Sequence, residues 1–271
     1  NLTTITTHGD TSTASLAAMG GIGVFASAIR ATLLKGEADI AVHSFKDLPT
    51  GRPLGLAIGA VPARADPRDA LVARDGLTLH DLPQEASVGT GSPRRAAQLL
   101  AVRPDLTIVD IRGNVDTRLG RVKGLGHYAK GGGKEDLDAV VLAASGLARL
   151  GHSGTVTEFL DPSVVLPAPA QGALAVECRT ADSRHGKLAK ALARIDDRRT
   201  RLAATAERAV LSHLEAGCAA PIGALAQLKP VSGSSPQVLT LDVVVATVDG
   251  SRIIREQVSV ELPAEVEPAL A

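Results

Sequence analysis

Residues 86–100 read "ASVGTGSPRRAAQLL". A short apolar run, ASVGT, meets a turn and then a helix signal. Ser92 is a good N-cap residue and Pro93 suits the first helical position. Both arginines, Arg94 and Arg95, then fall in the first helical turn, at the positive end of the macrodipole. A cation there is disfavoured by about 0.3–1 kcal/mol. The unit recurs: LTIVDI (106–111) leads into RGNVDTRLGRV, and DAVVLAA (138–144) leads into SGLARLG. Apolar strands alternating with helices predict a parallel, doubly wound α/β sheet.

On the N-terminal side, AAMGGIGVF (17–25) reads as a loop feeding the helix ASAIRATLLKGE. ADIAVHS (38–44) and LGLAIGAVP (54–62) read as strands, and ARADPRD (63–69), rich in proline and charge, as a hinge. GLGHYAKGGGKED (124–136) reads as a surface loop. After LPAPAQGALAVECR (166–179) the texture changes. One helix is predicted over about 186–216, with Gly217 as its C′ residue. VLTLDVVVATV and SRIIREQVSV flank Asp249-Gly250, a hairpin signal. This last part reads as an α+β unit with an antiparallel sheet.

The 271 residues suffice for two or three domains, and a 45% apolar content supports a real core. Acidic and basic residues balance at 29 each, so no strongly basic surface is available for nucleic acid and any anion site is local. Two cysteines do not make a disulfide framework and fit a reducing compartment. No apolar run approaches the ~20 residues of a membrane span, and no signal peptide is visible.

Ligands of open parallel sheets bind beyond the C-terminal strand ends. Each of the three middle strands delivers arginine there: Arg94 and Arg95, then Arg112 and Arg118, then Arg149. Guanidinium forks suit carboxylates or phosphates. The plain alternative is solvated surface arginines, since arginine supplies 21 of the 29 basic residues. GTGSPR is also near to GxGxxG, with Arg94 in place of the third glycine and Asp110 downstream, which keeps a dinucleotide-binding oxidoreductase in view. Lys46-Asp47 follows the strand ADIAVHS; a carboxylate there stabilises a developing cation, moves a proton, or merely caps a helix. Cys218, between Gly217 and Pro221, reads as a loop thiol, either a nucleophile or attachment point or a small buried hydrophobe. Cys178, within GALAVEC, reads as structural. No two of the seven histidines lie closer than 25 positions, so there is no local metal motif. GxSxG and Walker A patterns are absent.

Together, ADIAVHSFKDLPT, DPRDALVAR, VGTGSPRRAAQL, RPDLTIVDIRGNVDTRL, LDAVVLAASGLARLG, LPAPAQGALAVECR and AERAVLSHLEAGCAAPIGA resemble the porphobilinogen deaminase (hydroxymethylbilane synthase) family. The resemblance implies an enzyme that joins four porphobilinogen molecules head to tail with loss of ammonia. It implies a dipyrromethane cofactor held by a thioether on Cys218, and a catalytic role for Asp47. Lys46, Thr90, Ser92, Arg94 and Arg95 fall on cofactor-binding positions, and Arg112, Arg118 and Arg149 on substrate-binding positions. The implied fold is two periplasmic-binding-protein-like doubly wound α/β domains, 1–62 with 167–194 and 67–166, plus a small α+β domain, 195–271. A cytoplasmic monomer of tetrapyrrole (haem) biosynthesis follows, with no metal, nucleic acid or membrane partner.

The family's opening strand and helix and its final helix have no counterpart here, and the opening carries an arginine and a serine of the substrate site. Ile22 stands where a lysine is common, and Gly91 where a serine is common. Reduced activity and an incomplete first domain are the expectation from these departures. A carboxylate-binding module on the same α/β domains is the other alternative function.

Overall fold

The computed structural model describes residues 24–51, 53–217, 220–228 and 237–263. In chain order the elements begin with α1 (Val24–Leu34), β1 (Ile40–Ser44) and β2 (Leu56–Ala60). Then come β3 (Asp69–Ala73), β4 (Ser87–Gly89), α2 (Pro93–Val102), β5 (Thr107–Val109), α3 (Val115–Leu119), β6 (Ala139–Ala143), α4 (Ala144–Arg149) and β7 (Glu158–Phe159). The rest are β8 (Leu174–Arg179), α5 (Thr180–Arg184), α6 (Gly186–Ile195), α7 (Arg198–His213), β9 (Ile222–Leu228), β10 (Gln237–Ala246) and β11 (Ile253–Leu262).

The middle sheet has the order β5-β4-β6-β3-β7. Its three repeated strands are parallel, as the alternation of strand and helix requires: β4 pairs with both β5 and β6 in parallel. A fourth strand, β3, joins antiparallel to β6 and carries the short β7 on its outer edge. The sequence expectation placed 63–69 in a hinge and missed this strand. Residues 61–67 do run without regular structure, but Asp69 is the first residue of β3. The prolines and charges upstream hide a five-residue strand buried at every position. Its side chains enter two apolar clusters, one on each face of the sheet: Leu71 and Ala73 in one, Ala70 and Val72 in the other.

Chain from both sides of the middle sheet builds a second sheet, β1-β8-β2, in which β8 is antiparallel to both neighbours. Cys178 is wholly buried in β8, and a side chain at Gly59 would stand 2.9 Å from its sulfur. Burial pushes its thiol up. The third sheet is the antiparallel meander β9-β10-β11, turned at Asp249-Gly250 with Gly250 at φ +71°. This is the predicted hairpin, and helix α7 packs through Ala203 on Ala226, Leu228 and Leu239.

The single helix expected over 186–216 is two helices. Asp196 and Asp197 break it: the Asp197 carboxylate caps α7 by accepting from Thr200 N at 2.7 Å, and Asp196 accepts from Val61 N. The far end also differs. Helix α7 stops at His213, and Glu215, not Gly217, takes the left-handed position at φ +49°. Ala216 N donates to Leu211 O and Glu215 N to Ser212 O, a paired C-terminal motif that satisfies two orphan carbonyls.

Helix α7 is tied into the rest of the molecule through Glu207, which is fully buried. Its carboxylate accepts both forks of Arg64, at 2.6 and 3.0 Å, together with Ala170 N and Ala226 N. Arg64 lies on the segment entering the middle sheet, Ala170 on the segment leaving it, and Ala226 on β9. Burial pushes the Glu207 carboxyl up, against the pull of Arg64 and the two amides. Glu207→Ala strands all four donors. Both Glu207→Ala and Glu207→Gln remove one partner of a buried ion pair, which typically costs about 3–5 kcal/mol; Gln keeps one acceptor oxygen, so the urea midpoint of Glu207→Ala should fall below that of Glu207→Gln. Equal midpoints for the two variants would count against the junction.

Candidate active site

Helix α2 begins as the sequence indicates, with Ser92 as N-cap and Pro93 at the first position. The Ser92 side chain makes no capping bond. Arg94 and Arg95 are therefore in the first turn, yet they are not on the surface: each is about 5% exposed or less. This overturns the reading of solvated arginines. What lies opposite them is Asp69, the buried residue that opens β3. Arg94 Nη1 donates to Asp69 Oδ2 at 2.7 Å, and Arg95 Nε donates to Asp69 Oδ1 at 2.9 Å. Gln171 Nε2 adds a third donor to Oδ1 at 2.8 Å. Arg94 Nη1 also donates to Leu166 O at 2.7 Å, and Arg95 Nη1 donates to Val141 O at 3.0 Å.

Burial alone would push the Asp69 carboxyl up, but Arg94 and Arg95 beside it hold it well below the ordinary carboxylate range. One carboxylate thus offsets one of two buried guanidinium charges. The remainder faces a cavity of about 310 Å3. Arg112 and Arg118, from the β5–α3 segment, and Lys46 line the same space. Asn114 caps α3 by accepting from Thr117 N, and Arg118 Nε donates to Gly113 O at 2.7 Å. Burial, then Arg95 and Arg112 nearby, lower the pKa of Arg118. Burial also lowers that of Lys46, opposed by Asp47 and reinforced by Arg95. Lys46 Nζ donates to Gln171 Oε1 at 3.3 Å.

Asp47 ends the short turn Phe45–Asp47 after β1 and lines the cavity as an exposed carboxylate. Ser92 lines it too. Thr90 sits beneath the lining, buried, with its Oγ1 accepting from Ser92 N at 3.2 Å. Arg149, at the end of α4, donates to Gly172 O at 3.0 Å and is not part of the lining. Cys218 and Ile22 lie outside the described residues; Gly217 and Ala220, the described neighbours of Cys218, line the cavity. Gly91 is required by its surroundings, because a Cβ there would stand 2.7 Å from Ile111 O.

Sequence reasoning missed Asp69 and Gln171, both wholly buried. The available signal was a charged or amide residue beside an unbroken apolar stretch, in DALVA and in APAQGALAV. A second cavity, about 360 Å3, lies on the other side of the Phe45–Asp47 turn and is bounded by Phe45, Leu48 and Ile58. Among its charged side chains, Arg30 holds Glu177, Arg208 donates to the carbonyls of Phe45, Leu48 and Pro49, and Arg184 is exposed. The smaller cavity gathers the greater number of cationic side chains, Lys46, Arg94, Arg95, Arg112 and Arg118.

The chain is similar to known proteins along its whole length. A family model described as "Porphobilinogen deaminase, dipyromethane cofactor binding domain" matches residues 1–187, and one described as "Porphobilinogen deaminase, C-terminal domain" matches residues 201–269. The chain is 96% identical over 271 residues to the porphobilinogen deaminase of Cutibacterium acnes, covering all of this chain and 81% of that one. It is 54% identical to that of Micrococcus luteus, over all of this chain and 78% of the relative. A solved structure, YhfZ from Shigella flexneri, aligns at 20% identity over 70% of this chain and 75% of that chain, with a TM-score of only 0.29.

Asp69→Asn removes the one buried negative charge between Arg94 and Arg95, and is expected to cost about 3–5 kcal/mol at pH 7. The carboxyl's pKa is depressed on folding from an ordinary 3.8, so its stabilisation is present above that value and is lost as the pH falls through the lower folded-state value. Denaturant titrations should show wild type and Asp69→Asn converging as the pH drops below 3.8. A constant gap between them down to pH ~2 would remove the electrostatic account.

Proposed function

The chain belongs to the porphobilinogen deaminase family, and from that premise we propose how its residues divide the work. The activity is that of a transferase: four porphobilinogen molecules are condensed head to tail on a dipyrromethane cofactor, as in tetrapyrrole biosynthesis. The observation that carries the reading is one cavity faced by Asp47 and by lysine and arginine from three segments, beside the loop that holds Cys218. Each porphobilinogen brings an acetate and a propionate, so a growing chain accumulates negative charge. A single arginine would not match it.

The residues present fit a polycarboxylate pyrrole. Arg112 Nε is buried with no hydrogen-bond partner among the described residues, and Asp110 Oδ1 stands 3.8 Å away. It is a donor without an acceptor, in a wall with surplus positive charge. Lys46, Ser92, Arg94 and Arg95 are assigned to cofactor carboxylates, with Thr90 fixing the turn beneath. Arg112 and Arg118 are assigned to the substrate, and Arg149 to an outer contact reached when the units move. Cys218 is assigned to the thioether.

The dipyrromethane, when bound, supplies the pyrrole α-carbon to which the first porphobilinogen is joined. In each condensation the C–N bond of an aminomethyl group breaks and a C–C bond forms. Ammonia leaves, and the attacked α-carbon gives up its proton, so no electrons are exchanged. Asp47 acts where positive charge develops on the pyrrole as the amine departs. A carboxylate there helps only if its attraction grows in the transition state, which raises kcat rather than tightening binding.

The alternatives are not favoured. A dinucleotide site needs a close-packing glycine where Arg94 stands, and the Arg94 side chain is committed to Asp69. A pure carboxylate-binding module has no use for an exposed Asp47 among cations. The three domains 1–62 with 167–194, 67–166 and 195–271 are proposed as the units that close around the cleft, each with its own sheet. No helix among the described residues is long and apolar enough to cross a membrane. A cytoplasmic monomer remains the proposed state, tested by sedimentation.

Intact mass tests the attachment. Wild type exposed to porphobilinogen should gain a covalent adduct above 27.7 kDa; Cys178→Ser should gain it and Cys218→Ser should not. An adduct on Cys218→Ser would sink the assignment. Asp47→Asn should load the cofactor yet lose kcat by on the order of 10²-fold, the scale of one lost electrostatic stabiliser. Near-normal turnover would refute its role.

A further inference from the structure

Gly217 and Ala220, which flank Cys218 in the chain, line the same cavity as Arg94 and Arg95. Strand β9 begins two residues after Ala220 and lies along the segment leaving the middle sheet. Ala224 N donates to Pro167 O at 3.0 Å. A side chain at Gly223 would stand 2.7 Å from Leu166 O, so the approach is as close as backbone allows.

A second tether lies some distance away. The hairpin tip at Gly250 rests on the last turn of α2, where a Cβ would collide with Ala97 O. From β11, Arg255 Nη2 donates to Gln98 Oε1 and to Val164 O, both at 3.0 Å, and Nη1 donates to Pro162 O at 3.2 Å. Gln98 is almost fully buried. Its Oε1 also accepts from Leu166 N at 2.8 Å, while its Nε2 donates to Leu166 O at 3.0 Å and to Arg94 O at 3.2 Å. Leu166 O is the same carbonyl that accepts from Arg94 Nη1. An unbroken run of hydrogen bonds thus joins Arg255, Gln98, Leu166 and Arg94.

We propose that Arg255 is a positioning residue: by clamping the third sheet to Gln98 and Leu166 it fixes the Cys218 loop in register with the Arg94–Arg95 pair. The proposal rests on Cys218 being the attachment point. Among the described residues Arg255 does not line the cavity and has no carboxylate within ion-pair distance, Asp242 acting on it only from farther away. Its three acceptors are an amide oxygen and two carbonyls, all on the middle unit. A guanidinium has the donors to hold all three at once, and an ammonium on a shorter reach satisfies fewer.

The experiment uses the full chain without cofactor, mixed with porphobilinogen, and follows intact mass with time. Arg255→Met keeps the aliphatic stem at an exposed position and removes only the donors. Misplacing a reacting group by about 1 Å costs up to 10²-fold, so loading of Arg255→Met is expected to slow by about tenfold. Arg255→Lys, which keeps the charge and fewer of the donors, should recover only part of that rate. Arg252→Met, on the same hairpin and outside the run, should load as wild type does. All four proteins should share a thermal midpoint to within about 3 °C. Loading of Arg255→Met at the wild-type rate overturns the proposal. So does equal slowing in Arg252→Met, or slowing that merely follows a lowered thermal midpoint. A wild-type chain that gains no mass at all overturns the attachment reading beneath it, which is a different failure.

Discussion

One buried carboxylate organises the middle of this molecule. Asp69 receives Arg94, Arg95 and Gln171, with no exposure to solvent. The arrangement pays against two costs: two cations sit at the positive end of a helix, and they sit beside each other. A single aspartate cannot cancel both. It is enough to hold them, because the carbonyls of Leu166 and Val141 take further donors. The result is a fixed pair of guanidiniums with charge left over. That surplus faces a cavity shared with Lys46, Arg112 and Arg118.

Much of this was legible in the sequence, for reasons that can be named. Ser92-Pro93 set the start of α2 because capping chemistry is local. Three strand–helix repeats set the parallel core because their periodicity is local too. Asp249-Gly250 set the hairpin by turn geometry alone. What could not be read was the partner of each charge. Asp69 stands 25 residues before Arg94, in a run whose prolines and charges look like linker. Asp196 and Asp197 look like ordinary polar positions in a helix, until their carboxylates are seen to accept Val61 N and Thr200 N. Glu215 supplanted Gly217 as the helix stop because the bonds closing α7 form two residues earlier. In each case the deciding contact lies outside the local window.

The candidate site divides along the same line. Lys46, Asp47, Ser92, Arg94, Arg95, Arg112 and Arg118 converge on one cavity. Strand ends of a parallel sheet point their following loops to one side, so convergence of the last five follows from topology. Lys46 and Asp47 come from a different sheet, and only the tertiary fold brings them there. Thr90 and Arg149 show that a position near a site need not line it: one supports the turn from below, and the other holds Gly172 O. The Phe45–Asp47 turn adds a constraint invisible in sequence. Phe45 faces the larger apolar cavity while its neighbours Lys46 and Asp47 face the charged one, so a single turn separates the two spaces.

Arg94 and Arg95 therefore serve two ends at once, and the two ends are coupled. A guanidinium that carries only a binding function can be exchanged at the cost of affinity. These two also hold β3, α2 and the Leu166 segment together, so their charge cannot be removed without leaving Asp69 buried and unpaired. The coupling runs in the other direction as well. Cations gathered around Asp69 beyond what one carboxylate neutralises repel each other, as the lowered pKa of Arg118 beside Arg95 and Arg112 reflects, though burial is the larger cause. Carboxylates entering the cavity relieve that repulsion, and any ligand bound only by the folded chain stabilises it by mass action. An anion held there by the folded chain would raise the protein's stability, and the chemistry of that ligand would become part of what holds the fold.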